Sequence, residues 1–450
     1  MVDNSIDDSS PNGIALGIAS RLRRIGPSII VAAVVLGPGS IVNASRVGCE
    51  FGLALLWVVP LAGLLMMGMT VAGMSIGLLD SQTPCTWIAR RLGRPAAMLV
   101  GGSLFAAITL YQASNNNAMI MAWQGLVGRD ASASTAYQLA GLAGFNAALI
   151  VMLLFGSSEH RRGINLYQKL ERAMMPLVAV MVLAFSISMV AARPDPLAIL
   201  RGLVPRLPDN VASAAESVRS ARAQAMALQS WLGVTALIAT TFSVAGAFFQ
   251  SYQVKEKGWT PTEIRTGSID AFIGVGTLTM LTMVLFITAA SALHRVTPVT
   301  ELVDANAVAV ALRPMFGDAA TFIFSVGVFA GAISSFVVNA IIGGVAIVDG
   351  LGKSCRFDAP SVRWATAATL TAGYLVAALA TIAGINLVRF IVVAQSLTIL
   401  AFPVLAATML GQAWSNRHRG LSMRLLLVTG AGLILVCLMS MRTVWLLLGR

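Results

Sequence analysis

The stretch "VVLGPGSIVNAS", residues 34–45, decides the fold. It lies inside a charge-free run, 25–45, and about 20 apolar residues are enough to cross a bilayer. Yet Gly37, Pro38 and Gly39 stand together in its second half. Proline removes a backbone donor and glycine weakens a helix. In hydrocarbon each freed backbone group needs a partner, so unwound chain is tolerated only against protein or a cavity. Two readings follow: a proline kink held by neighbouring helices, or a break that serves a site.

The rest of the chain agrees that lipid is the main solvent. Of 450 residues, 57% are hydrophobic and 11% charged. A soluble protein carries roughly 25% charged residues. Formal net charge is +12, from 31 Lys and Arg against 19 Asp and Glu. The basic residues are spread between apolar runs, which argues against nucleic-acid binding and for loops on one side of a membrane. Cys49, Cys85, Cys355 and Cys437 form no CxxC pair and read as isolated small hydrophobes. Residues 1–20 read as a disordered cytoplasmic tail without a signal peptide.

Charge-free runs occur at 25–45, 51–79, 95–128, 131–158, 173–192, 223–254, 271–293, 319–348, 364–388, 390–416 and 425–441. The sequence thus predicts an all-α polytopic membrane protein with eleven spans. A transmembrane barrel would show segments of about ten alternating residues instead. Basic clusters at 21–24, 90–94, 161–169, 255–265, 353–363 and 417–424 all fall on one side if the N-terminus is cytoplasmic. The C-terminus is then outside and the expected location is the inner (plasma) membrane. Residues 193–222 form an external loop rich in Arg, and loops of that length obey the charge rule less strictly.

Span six supplies the second break. "TTFSVAGAFFQSYQ", 240–253, sets Ser243, Ala245 and Gly246 in a long charge-free segment. Spans one and six correspond if the chain is two repeats of five, and interrupted helices in matching halves point to a transporter site. The expected organisation is a first inverted repeat at 21–192, a second at 223–416, and an eleventh span within 417–450.

"GPGSIVNASRVGCEFGLALLW", 37–57, resembles the first-to-second-helix region of the natural resistance-associated macrophage protein (Nramp) family of divalent-metal transporters. The family pattern is Asp-Pro-Gly-Asn, then Gly-x-Glu-[Tyr/Phe]-Gly and Leu-Leu-Trp. Pro38, Gly39, Gly48, Glu50, Phe51, Gly52 and Trp57 fall in register. The stretches 268–293, 329–352 and 392–405, with Asp270, Gln395 and Pro403, are similar to helices seven, eight and ten. The resemblance implies the leucine-transporter architecture, two inverted five-helix repeats plus one helix.

It also exposes departures. The family's metal ligands are an Asp and an Asn on helix one, and a Met with a nearby carbonyl on helix six. Here Gly37 and Ser40 take the first two places, Ser243 the third, and the carbonyl falls near Thr240. The family's helix-six His falls at Ala245 or Gln250. Helix three, acidic in proton-coupled members, reads Asn115, Asn116 and Asn117. The expected substrate-binding residues are therefore Gly37, Ser40, Asn43, Thr240, Ser243, Gln250 and Gln395, beside helix breaks at Pro38, Gly39 and Gly246. A metal would be met through Ser40, Ser243 and the backbone of Gly37 and Thr240.

Losing a thioether weakens preference for transition metals over hard cations. The function expected is a secondary transporter of divalent cations, Mn²⁺ or Mg²⁺ and partly hydrated, working by alternating access with weak or no proton coupling. The alternative is a small neutral or anionic organic solute met by helix N-termini. No cofactor is expected. The three histidines, His160, His294 and His418, make no nucleophile arrangement, so the chain does not read as an enzyme.

Other polar residues carry two readings each. Arg46 and Glu50, at i and i+4, either pair with each other or serve gating or ion entry. Asp270 reads as a residue that opens helix seven and favours its dipole. At most one or two of the three asparagines can face a cavity, because successive residues point about 100° apart; the others bond between helices.

Overall fold

The computed structural model describes residues 37–127, 135–155, 193–206, 221–294 and 317–448, with scattered positions at 183–190 and 308–309. The tail at 1–20, the first half of span one and most of span five lie outside the described residues. In chain order the helices are α1 (Pro38–Phe51), α2 (Val58–Leu79), α3 (Pro84–Leu92), α4 (Arg94–Val127) and α5 (Thr135–Phe155). Then come α6 (Pro196–Gly202), α7 (Ala221–Thr241), α8 (Val244–Glu256), α9 (Ile264–Ala292) and α10 (Ala320–Gly350). The last are α11 (Pro360–Ile382), α12 (Leu387–Leu397), α13 (Phe402–Ser415) and α14 (Met423–Leu447). Among the described residues, nine helices, counting α7–α8 and α12–α13 as one each, are long and apolar enough to cross a membrane.

Two groups of helices pack mainly within themselves, with α1 also touching α4 and α10 of the second group. One is α1, α2, α8 and α9; the other is α4, α10 and α11, with α5 against α11. Helices α7, α12 and α13 lie between them, α12 touching both α7 and α4. Lipid tails are as apolar as leucine, so close backbone approach must hold such helices together. The motif around Glu50 serves that end. A Cβ at Gly48 would stand 2.8 Å from the Phe286 carbonyl oxygen of α9. Gly52 has φ +57° and faces the His294 ring, whose Nδ1 is 2.9 Å from the Cys49 carbonyl oxygen. Both glycines are demanded by packing and turn geometry, not by chemistry at a site.

The segment at 193–206 also folds onto this turn. Asp195 caps α6 through Leu197 N, and the Gly202 carbonyl accepts from Trp57 N at 3.0 Å. At one end of the bundle, buried Asp349 accepts from Thr83 Oγ1 (2.7 Å), Thr86 Oγ1 (3.2 Å), Cys85 N (3.2 Å) and Tyr252 O–H (2.7 Å). That single carboxylate joins α3, α8 and α10.

Asp270 corrects the sequence reading. It lies in the second turn of α9, which begins at Ile264, and it is fully buried. The first turn belongs to the Thr260–Glu263 capping box, so Asp270 does not open the helix.

Candidate functional site

Three points where helices start or break meet inside the bundle. Gly37, extended at φ −69° and ψ 169°, is the N-cap of α1. Pro38 and Gly39 are the first residues of that helix. Proline suits a helix start, because its missing N–H costs nothing at a position that has no intrahelical acceptor; the residues before 37, which would form the other side of a break, lie outside the described residues. The second is the interruption at Phe242–Ser243, between α7 and α8. Ser243 leaves helical geometry at ψ 89°, and its hydroxyl accepts from Gly246 N at 3.2 Å. Gly246 is thus the third residue of α8, capped by Ser243, and is not itself the break. The third is a 3₁₀ turn, Thr398–Leu400, followed by Pro403 in the first turn of α13. A mid-helix 3₁₀ stretch commonly marks a hinge.

A cavity opens where these ends converge. Gly37, Gly39 and Ser40 of α1 line it, with Tyr111 and Asn115 of α4. The α7–α8 break adds Thr240, Ser243 and Gly246. Asn339 of α10 and Gln395 of α12 complete the polar wall. It offers about 30 Å³ of space to water centres. One water needs roughly 10–15 Å³ by that measure, so about two fit. Among the described residues, the wall holds no carboxylate, thiol, thioether or imidazole. Among the described residues there is no group of three or more His, Cys, Asp and Glu that would hold a metal.

The electrostatics come from helix ends and neutral dipoles. α1 and α8 begin at the cavity and turn their positive ends toward it, with Ser40 N–H bonded to Gly37 O and Gly246 N–H capped by Ser243; α7 ends there with its negative end. Gln395 lies flat on Gly39: a Cβ there would stand 1.6 Å from Gln395 Nε2. Its Oε1 accepts from Asn43 Nδ2 at 2.8 Å, tying α12 to α1. Asn43 is fully buried and supports Gln395 from behind; it does not line the cavity. At Gly37 a Cβ would lie 3.0 Å from Ser335 Oγ and 3.6 Å from Asn115 Oδ1.

The other sequence-selected residues separate. The Thr240 hydroxyl bonds back to Ala236 O (2.9 Å) and Leu237 O (3.1 Å), which leaves its backbone as the available group. Gln250 is buried in α8 away from the cavity wall. Arg46 and Glu50 sit at the far end of α1, away from the wall. They form no ion pair: Glu50 accepts from Ser230 O–H, while Arg46 Nε and Glu50 Oε2 have no hydrogen-bond partner. Of the three asparagines only Asn115 faces the cavity, donating to Gln112 Oε1 at 3.1 Å. Asn116 accepts from Asn146 of α5 at 2.8 Å, and Asn117 accepts from Thr381 of α11 at 3.1 Å.

The arrangement has counterparts. A family model described as natural resistance-associated macrophage protein-like matches residues 28–449. The chain belongs to the Nramp family. The divalent metal cation transporter MntH of Verminephrobacter eiseniae is 24% identical over 409 residues, covering 90% of this chain and 84% of that protein. MntH of Yersinia pestis is 26% identical over 342 residues, 74% of this chain and 76% of its own length. A crystal structure of a manganese transporter variant from Eremococcus coleocola superposes with a TM-score of 0.71 at 14% identity. That match covers 94% of this chain and 86% of the other. The fold is therefore the leucine-transporter type of Nramp proteins, and the chain is a multi-pass membrane protein.

Sequence reasoning missed Tyr111, Ser335 and Asn339, each inside a long helix without a local signature. Pro403 was the available signal for the α12–α13 interruption.

Proposed function

We propose that this Nramp protein carries a divalent cation of the Mn²⁺ or Mg²⁺ class across the plasma membrane by alternating access, with part of the hydration shell retained. The cation would meet Ser40, Ser243, Gln395 and the backbone of Gly37 and Thr240. Helices α1 and α8 would hinge about Gly37 and Ser243 to open either side, with the N-terminus cytoplasmic and the C-terminus outside. The observation that carries this reading is the small cavity between broken helices, walled by neutral oxygen and amide groups. Hard cations favour oxygen donors, and Mg²⁺ gives up water reluctantly. Space for about two water centres suits an ion with residual hydration. The names of the MntH relatives support a divalent cation as cargo.

Proton coupling has no carrier in the wall. Glycine stands at position 37 and amides at 112 and 115–117, so uptake should run without co-transported protons. The test is Mn²⁺ and Mg²⁺ entry into proteoliposomes, with internal pH recorded and Gly37→Asp measured in parallel. Entry by the native protein without acidification supports the reading. Metal entry only through the Asp variant would reject it, and acidification that tracks uptake would reject the uncoupled mechanism.

A further inference from the structure

Tyr111 stands at the middle of α4 and brings a phenol into the cavity wall. Its O–H donates to the Ala239 carbonyl oxygen at 3.0 Å. Ala239 lies in the last turn of α7, where carbonyls have no intrahelical partner and carry the negative end of the helix dipole. The phenol oxygen is also 3.5 Å from Thr398 Oγ1 at the α12–α13 interruption, and the Ser243 hydroxyl lies beside it. Thr398 in turn donates to the Gln395 carbonyl at 2.7 Å. One side chain of the unbroken helix α4 therefore touches two interrupted ones at the cavity.

We propose that Tyr111 is a specificity-determining residue: its hydroxyl occupies the α7 helix-end carbonyl and so keeps the site from selecting cations that shed water easily. This rests on the cation-transport reading above. In a wall without carboxylates among the described residues, the helix-end carbonyls of α7 are the strongest oxygen ligands available to a dehydrated ion, and with Ala239 held by Tyr111 only Thr240 is left to approach. The Tyr111 proton takes one lone pair of the Ala239 oxygen and places a positive hydrogen where a cation would approach. An ion that keeps its water loses little by this. An ion that would trade water for the carbonyl loses most, and Mn²⁺ trades water more readily than Mg²⁺. With the phenol in place the two ions are treated alike.

The experiment is competitive binding of Mn²⁺ and Mg²⁺ to the purified full-length protein by calorimetry, repeated as uptake in proteoliposomes. Tyr111→Phe removes the donor and keeps the ring. A net neutral hydrogen bond sets the scale, so the Mn²⁺/Mg²⁺ affinity ratio should rise roughly fivefold to tenfold. Tyr111→Leu also lacks the donor and must move the ratio the same way. Thr398→Ala deletes the 3.5 Å contact and the bond to the Gln395 carbonyl, leaves the Ala239 bond in place, and should leave the ratio unchanged. A ratio within twofold of wild type in both Tyr111 variants overturns the proposal while leaving the transport reading intact. An equal shift in Thr398→Ala also overturns it, because loosening of the α12–α13 turn would then be the cause. Failure of the wild-type protein to bind either ion removes the transport reading, and this inference with it.

Discussion

Gly39→Ala tests whether Gln395 is held where the structure places it. A methyl group at position 39 would stand 1.6 Å from Gln395 Nε2 and 2.1 Å from both Cδ and Oε1. Those atoms end a flexible side chain, so the clash itself is relieved by swinging Gln395 away. The cost lies in what it leaves. Asn43 is fully buried, its Oδ1 already lacks a partner, and its Nδ2 donates to Gln395 alone at 2.8 Å. Displacing Gln395 strands the whole Asn43 amide, a penalty of about 1–3 kcal/mol. Gln395→Ala strands the same amide by another route. In the double variant the methyl has free space and the amide is already stranded, so the second substitution should add little. The coupling energy is then about 1–3 kcal/mol, the range seen for residues that share one contact. The assay is thermal unfolding of the detergent-solubilised protein, followed by tryptophan fluorescence, for wild type, each single variant and the double. Simple additivity of the two single costs would refute the placement of Gln395 against Gly39.

Gly73→Ala should destabilise the protein by about 2 kcal/mol or more, since a Cβ there would stand 2.0 Å from the Ala247 carbonyl and only movement of α8 can make room; a melt unchanged from wild type would contradict the close α2–α8 contact. Asp80 is raised by burial, but amide donors from Gln412, Gln82 N–H and Asn416, with Lys255 close by, outweigh that and hold its carboxyl below the usual range. A carboxyl lowered on folding stabilises at high pH and loses that contribution as pH falls through its folded value. Asp80→Asn should therefore melt earlier than wild type at pH 7, with the gap closing below about pH 3.9. Burial, then neighbouring Asp349, pushes the Cys355 thiol up to about 12. Because the thiolate is the reactive form, Cys355 should label slowly with maleimide at pH 8 in the folded protein and quickly after denaturation, as followed by mass spectrometry.

How far the sequence leads depends on whether a residue's role is local. Membrane helices are legible because hydropathy accumulates over about 20 residues and lipid forces each to close its own hydrogen bonds. The helix start at Gly37 is legible because Pro38 has few places to sit. The interruption between α7 and α8 falls in the segment the sequence indicates, but there glycine, the familiar breaker, points to Gly246. The structure assigns the break to Ser243, whose hydroxyl does the capping, a role that serine fills without any proline or glycine signal. Tyr111 and Asn339 could not be placed, since in a helix hydrophobic all round nothing local says which face meets a cavity. The Arg46–Glu50 spacing invites a pair; Ser230, 180 residues from Glu50, takes the carboxylate instead.

The cavity wall poses a question of charge that the helix ends answer only in part. α1 and α8 start there and present positive ends, while α7 and α12 stop there and present negative ones. α13 also starts at the α12 interruption, so the ends carry both signs; with no carboxylate among the described residues of the wall, a bare divalent ion gains little on entering. Such an ion pays for lost water in full and recovers it only from oxygen dipoles. An ion that keeps part of its shell spreads its charge over the retained waters, which then bond to Ser40, Asn115, Ser243 and Gln395 as neutral donors and acceptors. Under the proposed function, binding in that form would be weak and permissive, and release to either side would need no proton to discharge a ligand. Restoring one carboxylate at Gly37 changes this, and Asn115 Oδ1 and Ser335 Oγ stand within 3.6 Å of the new Cβ. Tighter binding and slower release of Mn²⁺ should therefore accompany Gly37→Asp, so that affinity rises while turnover at saturating Mn²⁺ falls.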